Sequence, residues 1–337
     1  MQLSNNQKIF FEHPSTFIVS SGRSGTTLLV ALLNATEQIN IPYESDFIAR
    51  AYSYYENKQF FQDEDYQKIA RLFQITSQPK GWGMSEKYLL SCLKEQNPQT
   101  FSEVNTAIYT AFQKKQGNTG EKKYGIKSPV LISSLEEIGN VYPKAKIIHV
   151  VRDGRDVCLS YRKIHQKSKI KFGPKGIVSS ALYWIDGLRR IEEAKQTEIY
   201  QLRYEDLIEK TEQELMNICA FLDLEYKLEI YNNYLKQAQN QEIVPQKLQQ
   251  IVHKKIGKQI DSQNSQKFLN QMNQVEKFVF ELIAIPYLKK YNYICNYGWL
   301  NRKIFTPIRY FLYFTARKLN TFRYARRNAK FFKEAQI

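Results

Sequence analysis

The chain has 337 residues, 43% hydrophobic and 24% charged, which suits one large core or two modest ones in an ordinary globular protein, and one catalytic domain with decorations is expected. Its formal net charge of +16 points to anionic partners, whether nucleic acid, membrane headgroups or a multiply phosphorylated small molecule, without choosing among them. Cys92, Cys158, Cys219 and Cys295 lie far apart with no C-x-x-C pair, which argues against a zinc site or a disulfide framework and predicts free thiols in a reducing compartment; no secretory signal is visible in "MQLSNNQKIFFEHPSTF", so a cytoplasmic location is expected.

The first predicted unit is a strand, a loop and a helix: "FIVS" is a short β-rich apolar run, and the apolar spacing from Leu28 to Leu33 suits a buried helix. Mostly helical patterns rich in tyrosine and phenylalanine run from Asp46 to Gln116, with breaks near "SQPKGWG" and "QNPQT", and predict a helical wall or lid. "KYGIKSP" reads as a short strand closed by proline, and "PVLISSLEEIGNVYP" as a helix bounded by prolines. "AKIIHVV" is the clearest buried strand; it ends in "RDGRDVCLSYRK", where glycine permits a turn before helical spacing resumes. "TEIYQLRYEDL" offers a fourth strand, again followed by helix. The polar, glutamine-rich "QAQNQEIVPQKLQQ" and "DSQNSQ" predict loops or exposed helix faces. Strands alternating with helices predict an α/β fold with a largely parallel sheet, helices on both faces and ligands at the carboxyl ends of the strands.

The loop after the first strand, "SSGRSGTTLL", has the shape of a phosphate cradle with a difference. A nucleoside triphosphatase loop places four residues between its glycines and then Gly-Lys-Ser/Thr, the lysine meeting the terminal phosphates and the hydroxyl holding magnesium. Here Gly22 and Gly25 are separated by two residues and Thr26 stands in the lysine position. What remains is a nest of N–H groups from Ser24, Gly25, Thr26 and Thr27 at a helix N-terminus, two hydroxyls and the cation of Arg23, a set suited to a terminal oxyanion without a metal.

"GRSGTTLL", followed by "IKSP" and then "VVRDGRDVCLSY", resembles the 3′-phosphoadenosine-5′-phosphosulfate-dependent sulfotransferases over roughly residues 15–295. The resemblance implies a nucleotide-triphosphatase-like three-layer sandwich with a central parallel sheet, a first motif that holds the 5′-phosphosulfate and a last motif that holds the 3′-phosphate. It also implies no metal. The residues agree with this: Arg152 at a strand end supplies a guanidinium fork, and Ser160, eight residues on and about two helical turns later, can add a hydroxyl to the same phosphate. Arg155 and Asp156 are expected to brace the loop. Lys127 resembles the family lysine near the sulfate-bridging oxygen, so that Arg23 and Lys127 would neutralise the leaving phosphate.

The acceptor must also lose a proton. Some family members use a histidine two residues after the lysine, where this chain has Pro129; others resemble it in carrying a glutamate after the first helix, and "NIPYESDF" offers Glu44 as the base. The bland reading of Glu44 is an acid at the N-terminus of the next helix. His13, His149, His165 and His253 form no triad. Tyr204 resembles a family tyrosine near the adenine, though an aromatic after a strand also serves packing, and Lys258 falls where the family has a late basic phosphate-binding loop, with Lys254 and Lys255 beside it.

Residues 299–337 differ in character, with ten Lys or Arg against one acid, Glu334. The longest nearly apolar run, "YFLYFTA", is far short of the roughly 20 apolar residues of a membrane span. This second unit is expected to be a basic helical extension, lying on an anionic membrane surface or packed on the enzyme, and no nucleic-acid partner is expected. The expected activity is transfer of a sulfuryl group from the phosphosulfate donor to an acceptor hydroxyl on a sugar, lipid, peptide tyrosine or small molecule. Two other readings stay open: a magnesium-dependent small-molecule kinase, and a basic membrane- or nucleic-acid-binding protein with a vestigial nucleotide fold.

Overall fold

The short aromatic and β-branched run TFIV forms the first strand, β1 (Thr16–Val19), in a computed structural model that describes residues 14–78, 80–117, 122–167, 173–194, 198–240 and 258–335. The glycine loop follows and leads into α1 (Thr26–Asn34). The sheet has five strands in the order β2-β3-β1-β4-β5, all parallel, with β2 at Ile39–Asn40, β3 at Lys123–Lys127, β4 at Lys146–Val151 and β5 at Glu198–Arg203. The register sets Ile18 beside Lys127, Val19 beside His149 and Val151 beside Arg203. The carboxyl ends of four strands therefore open on one edge, and the glycine loop, Lys127, Arg152 and Tyr204 all emerge there.

Successive strand side chains point to opposite faces. Phe17 and Val19 pack into a buried cluster with α2 (Phe47–Tyr55), α3 (Asp63–Thr76), α4 (Glu86–Gln96), α5 (Phe101–Lys115) and α6 (Leu135–Val141). Ile18 packs on the other side with α1, α9 (Tyr204–Glu209), α10 (Thr211–Phe221) and α11 (Ile230–Asn240). A third cluster joins Val151 to α7 (Gly154–Lys167), α8 (Ile177–Glu193) and the helix Gln274–Lys290. The result is the three-layer arrangement that the alternation of strands and helices predicts.

The helical stretch breaks where expected, for identifiable reasons. Asn97, left-handed at φ 47°, ends α4, and Thr100 and Glu103 cap the start of α5 reciprocally, each side chain accepting the other's backbone N–H at 3.3 and 3.2 Å. Two expectations need correction. "PVLISSLEEIGNVYP" is a 3₁₀ turn (Pro129–Ser133) followed by α6, because Ser134 at φ −129°, ψ 32° interrupts the helix. The sheet also has a fifth strand, β2, whose two residues are too few to show a period. The stretch from Gln241, with His253, Lys254 and Lys255, and His13 near the N-terminus lie outside the described residues. All four cysteines are free thiols.

The basic C-terminal segment forms a 30-residue helix, Thr306–Ala335. One of its faces is packed on the enzyme. Buried Arg309 donates to the carbonyls of Leu282 and Leu300, the Tyr313 hydroxyl donates to the Ile283 carbonyl at 2.5 Å, and Arg317 pairs with Glu193 at 2.6 Å. Farther along, Phe331 and Phe332 pack against the helical side of the core, and the Asn328 side chain accepts from Arg50.

Candidate active site

The loop Ser20–Gly25 is left-handed at Gly22, Arg23 and Gly25, with φ of 72°, 56° and 88°. Left-handed turns of this kind allow backbone N–H groups to converge on an anion. Among the described residues no side chain caps the start of α1, so its first donors and its positive dipole end remain for a ligand. Glycine is required twice over: a Cβ on Gly25 would stand 2.3 Å from Tyr204 Cδ2, and one on Gly22 would stand 2.3 Å from the Tyr161 hydroxyl oxygen. The Tyr161 hydroxyl donates to the Ser21 carbonyl at 3.2 Å, and Ser24 Oγ turns back to the Gly22 carbonyl at 3.1 Å, so the loop is braced from inside and from behind.

Two guanidinium groups converge on this loop from different elements. Arg23 Nε donates to Ser160 Oγ on α7 at 3.1 Å, and Arg152 Nη1 donates to the Arg23 carbonyl at 3.3 Å. Arg152 also donates to the Asn264 carbonyl at 2.9 Å and lies over the Tyr204 ring, 4.4 Å from its centre; the Tyr204 hydroxyl accepts from Asn264 Nδ2 at 2.6 Å. Burial lowers the Arg23 pKa from its ordinary value and the neighbouring Arg152 acts in the same direction, against the opposing effect of Tyr161. Desolvated cations held this close favour a bound anion.

A third cation comes from the other side of β1. Lys127, buried at the end of β3, donates to Glu44 Oε1 at 2.6 Å, reaches Thr27 Oγ1 at 3.4 Å and stands 4.8 Å from the centre of the Tyr43 ring. The backbone of Glu44 is pinned by a hydrogen bond from Gln78 N at 2.8 Å and by the contact of Ser45 Oγ with Ser77 Oγ at 2.7 Å. Just beyond, Ser128 Oγ donates to Asp46 Oδ1 at 2.6 Å, and Asp46 faces Arg50 at 3.6 Å. Burial, with Glu44 adding to it, raises the pKa of the Tyr43 phenol.

Of the residues singled out in the sequence, Arg23, Ser24, Gly25, Thr27, Glu44, Lys127, Arg152, Ser160 and Tyr204 are linked by these contacts into one site, and Thr26 opens α1 between Gly25 and Thr27. Lys258 is exposed, and its backbone carbonyl accepts from the Tyr234 hydroxyl at 3.1 Å; the residue of that stretch that reaches Arg152 is Asn264. Asn264 lies in the polar "DSQNSQ", which has no motif to mark it. Tyr161 and Ser128, by contrast, directly follow residues that were singled out. Arg155 and Asp156 brace the site as expected: Arg155 pairs with Asp153 and Glu281, both at 2.7 Å, and Asp156 Oδ1 accepts from Phe268 N at 2.9 Å.

This geometry agrees with what the sequence matches. The profile described as the sulfotransferase family fits residues 14–227, more than half of the chain and all of the motif-bearing strands. The chain belongs to the sulfotransferase family. Two solved sulfotransferase structures share its fold: the sulfotransferase domain from the curacin biosynthetic pathway, at 18% identity and TM-score 0.53, covering 83% of this chain and 98% of that one, and the sulfotransferase domain from the Synechococcus PCC 7002 olefin synthase, at 19% identity and TM-score 0.52, covering 83% and 95%. No curated protein sequence matches the chain. As a sulfotransferase, the enzyme moves a sulfuryl group to an acceptor.

Proposed function

We propose that this sulfotransferase takes the sulfuryl group from 3′-phosphoadenosine-5′-phosphosulfate and passes it to an acceptor hydroxyl by in-line displacement without a metal, with residues 15–295 as the catalytic unit and 299–337 as an extension of it. The observation that carries the reading is the convergence of Arg23, Arg152 and Lys127, from three strand ends, around an uncapped helix N-terminus. The loop N–H groups, Thr26, Thr27 and Arg23 are assigned to the 5′-phosphosulfate. Arg152 and Ser160 are assigned to the 3′-phosphate, Lys258 to an outer contact with it, and the Tyr204 ring to the adenine. The two anion subsites meet through the Arg23–Ser160 bond.

In the reaction the acceptor oxygen attacks sulfur, the bond from sulfur to the bridging oxygen breaks, and the 5′-phosphate leaves with the electron pair. Lys127 and Arg23 offset the charge that builds on that leaving group. The acceptor proton passes to the carboxylate of Glu44, which the structure holds 2.6 Å from Lys127. The acceptor is a hydroxyl-bearing sugar, lipid, peptide tyrosine or small molecule, chosen by the helices beside the site. The free cysteines support a reducing, cytoplasmic setting.

Thermal unfolding tests the donor assignment. Adenosine 3′,5′-bisphosphate should raise the melting temperature well beyond the shift given by 5′-AMP, with or without magnesium, because only the bisphosphate fills both subsites. Equal shifts, or a shift that requires the metal, would move the reading to a kinase.

A further inference from the structure

Among the described residues, the C-terminal helix has a packed face and an unpartnered face, and the second is unusual for a protein surface. Ile304 just before the helix, then Ile308, Phe311, Phe314 and Phe322 within it, are 78%, 50%, 65%, 51% and 61% exposed. At about 100° per residue the four positions within the helix fall in a sector of roughly 120°. The buried Arg309 and the packed Tyr313 lie on the opposite side. Soluble proteins seldom leave a contiguous row of large apolar side chains in water without a use for it. Basic groups surround the row: Arg302, Lys303, Lys318 and Arg326 are all exposed, and Lys318 and Arg326 stand over the rings of Phe314 and Phe322 at 4.5 and 5.8 Å. Glu334 is the segment's single acid and faces Lys330 at 3.6 Å, beyond the aromatic row.

We propose that this face lies on an anionic lipid surface, with the phenylalanine and isoleucine side chains in the headgroup–acyl boundary and the lysine and arginine side chains at the phosphates. Charge decides the occupant. A second copy would bring the same basic row against itself, whereas an anionic bilayer complements it and accepts apolar side chains as well. Nucleic acid would use the cations but would leave the exposed aliphatic residues in water. The helix lies on the membrane rather than through it, because no helix among the described residues is long and apolar enough to cross one. The packed face explains how the enzyme is held: Arg309, Tyr313 and Arg317 anchor the helix to the body, so docking of the outer face brings the whole sulfotransferase to the membrane.

The test is co-sedimentation of the full-length protein with vesicles of phosphatidylcholine containing 30% phosphatidylglycerol, and with phosphatidylcholine alone. Binding is expected to the anionic vesicles, to fall as salt rises and to be weak on the neutral ones. The triple variant Phe311→Ser, Phe314→Ser, Phe322→Ser should bind at least roughly tenfold more weakly. Its melting temperature and its shift with adenosine 3′,5′-bisphosphate should match the wild type, since these side chains leave the packed face untouched. Lys318→Glu with Arg326→Glu should abolish the preference for anionic lipid. Failure of the wild type to sediment at low salt, or equal binding to both vesicle types, overturns the proposal. Concentration-dependent dimerisation, or salt-sensitive binding to nucleic acid, that the triple variant loses in place of vesicle binding assigns the face to another partner and overturns it as well. Vesicle binding, its salt dependence and the melting temperature without nucleotide do not depend on the donor assignment.

Discussion

Lys127 and Glu44 lie 83 positions apart in sequence and form one buried-to-half-buried pair at 2.6 Å. Their proposed roles separate under substitution. Glu44→Gln keeps the shape and removes the basicity, so sulfuryl transfer should fall by about 10² to 10⁴ while affinity for adenosine 3′,5′-bisphosphate stays near wild type, because Arg23 and Arg152 remain. Lys127→Ala should lower both affinity and turnover. Isothermal titration with the bisphosphate beside labelled-sulfate transfer distinguishes the two; near-normal turnover in Glu44→Gln would pass the role of base to Asp46, already engaged by Ser128 at 2.6 Å.

At the scale of an element, strand β4 carries the site at its end and an unusual group in its middle. His149 is fully buried between β1 and β5, neither ring nitrogen has a hydrogen-bond partner among the described residues, and burial depresses its pKa to about 3. The unfolded chain binds a proton at this residue near pH 6.5 and the folded one does not, so stability is fully present above about pH 6.5 and is lost as pH falls toward 3. One such proton gives a slope of up to about 1.4 kcal/mol per pH unit. In His149→Leu the difference between stability at pH 7 and at pH 4.5 should shrink accordingly, measured by urea unfolding at both values. An unchanged pH dependence would mean that the imidazole finds a way to charge in the folded state. The same strand shows why the site is where it is: β4 feeds Arg152 to the sheet edge while Trp184 Nε1 ties the Arg152 carbonyl at 2.9 Å.

Across the whole molecule, the C-terminal helix reaches from its exposed aromatic row to the neighbourhood of the Glu44–Lys127 pair. Asn328 accepts a hydrogen bond from the buried Arg50, whose guanidinium also lies 5.1 Å from the centre of the Phe331 ring and faces Asp46, two residues after Glu44. Asn328→Ala weakens the hold on a buried charge. Hydrogen bonds to charged groups contribute about 1.5–3 kcal/mol, so denaturant unfolding should show a loss of that order. Turnover should fall with it, and the bisphosphate affinity should stay, since the residues proposed to hold the donor lie on other elements. Unchanged stability and turnover would mean that the helix end is a passenger.

The sequence by itself determined the parallel α/β sheet, the glycine loop, and the positions of Arg23, Lys127, Arg152 and Ser160, because strand ends and tight turns are written in local spacing and in glycines that no other residue can replace. It also held Glu44, though only through resemblance. The pairing of Glu44 with Lys127 was decided by the fold, since it depends on β3 lying next to β1 and on Ser45 and Ser77 pinning the start of α2. Asn264 was equally hidden, because a polar residue in a loop acquires a role only from what folds against it. The tail shows the same division. Its charge and aromatic content are plain in the sequence, but which of its faces is buried depended on Arg309, Tyr313 and Phe331 finding partners in α8, the helix Gln274–Lys290 and the helical wall, a choice made by packing between distant segments and not by the period of any one of them.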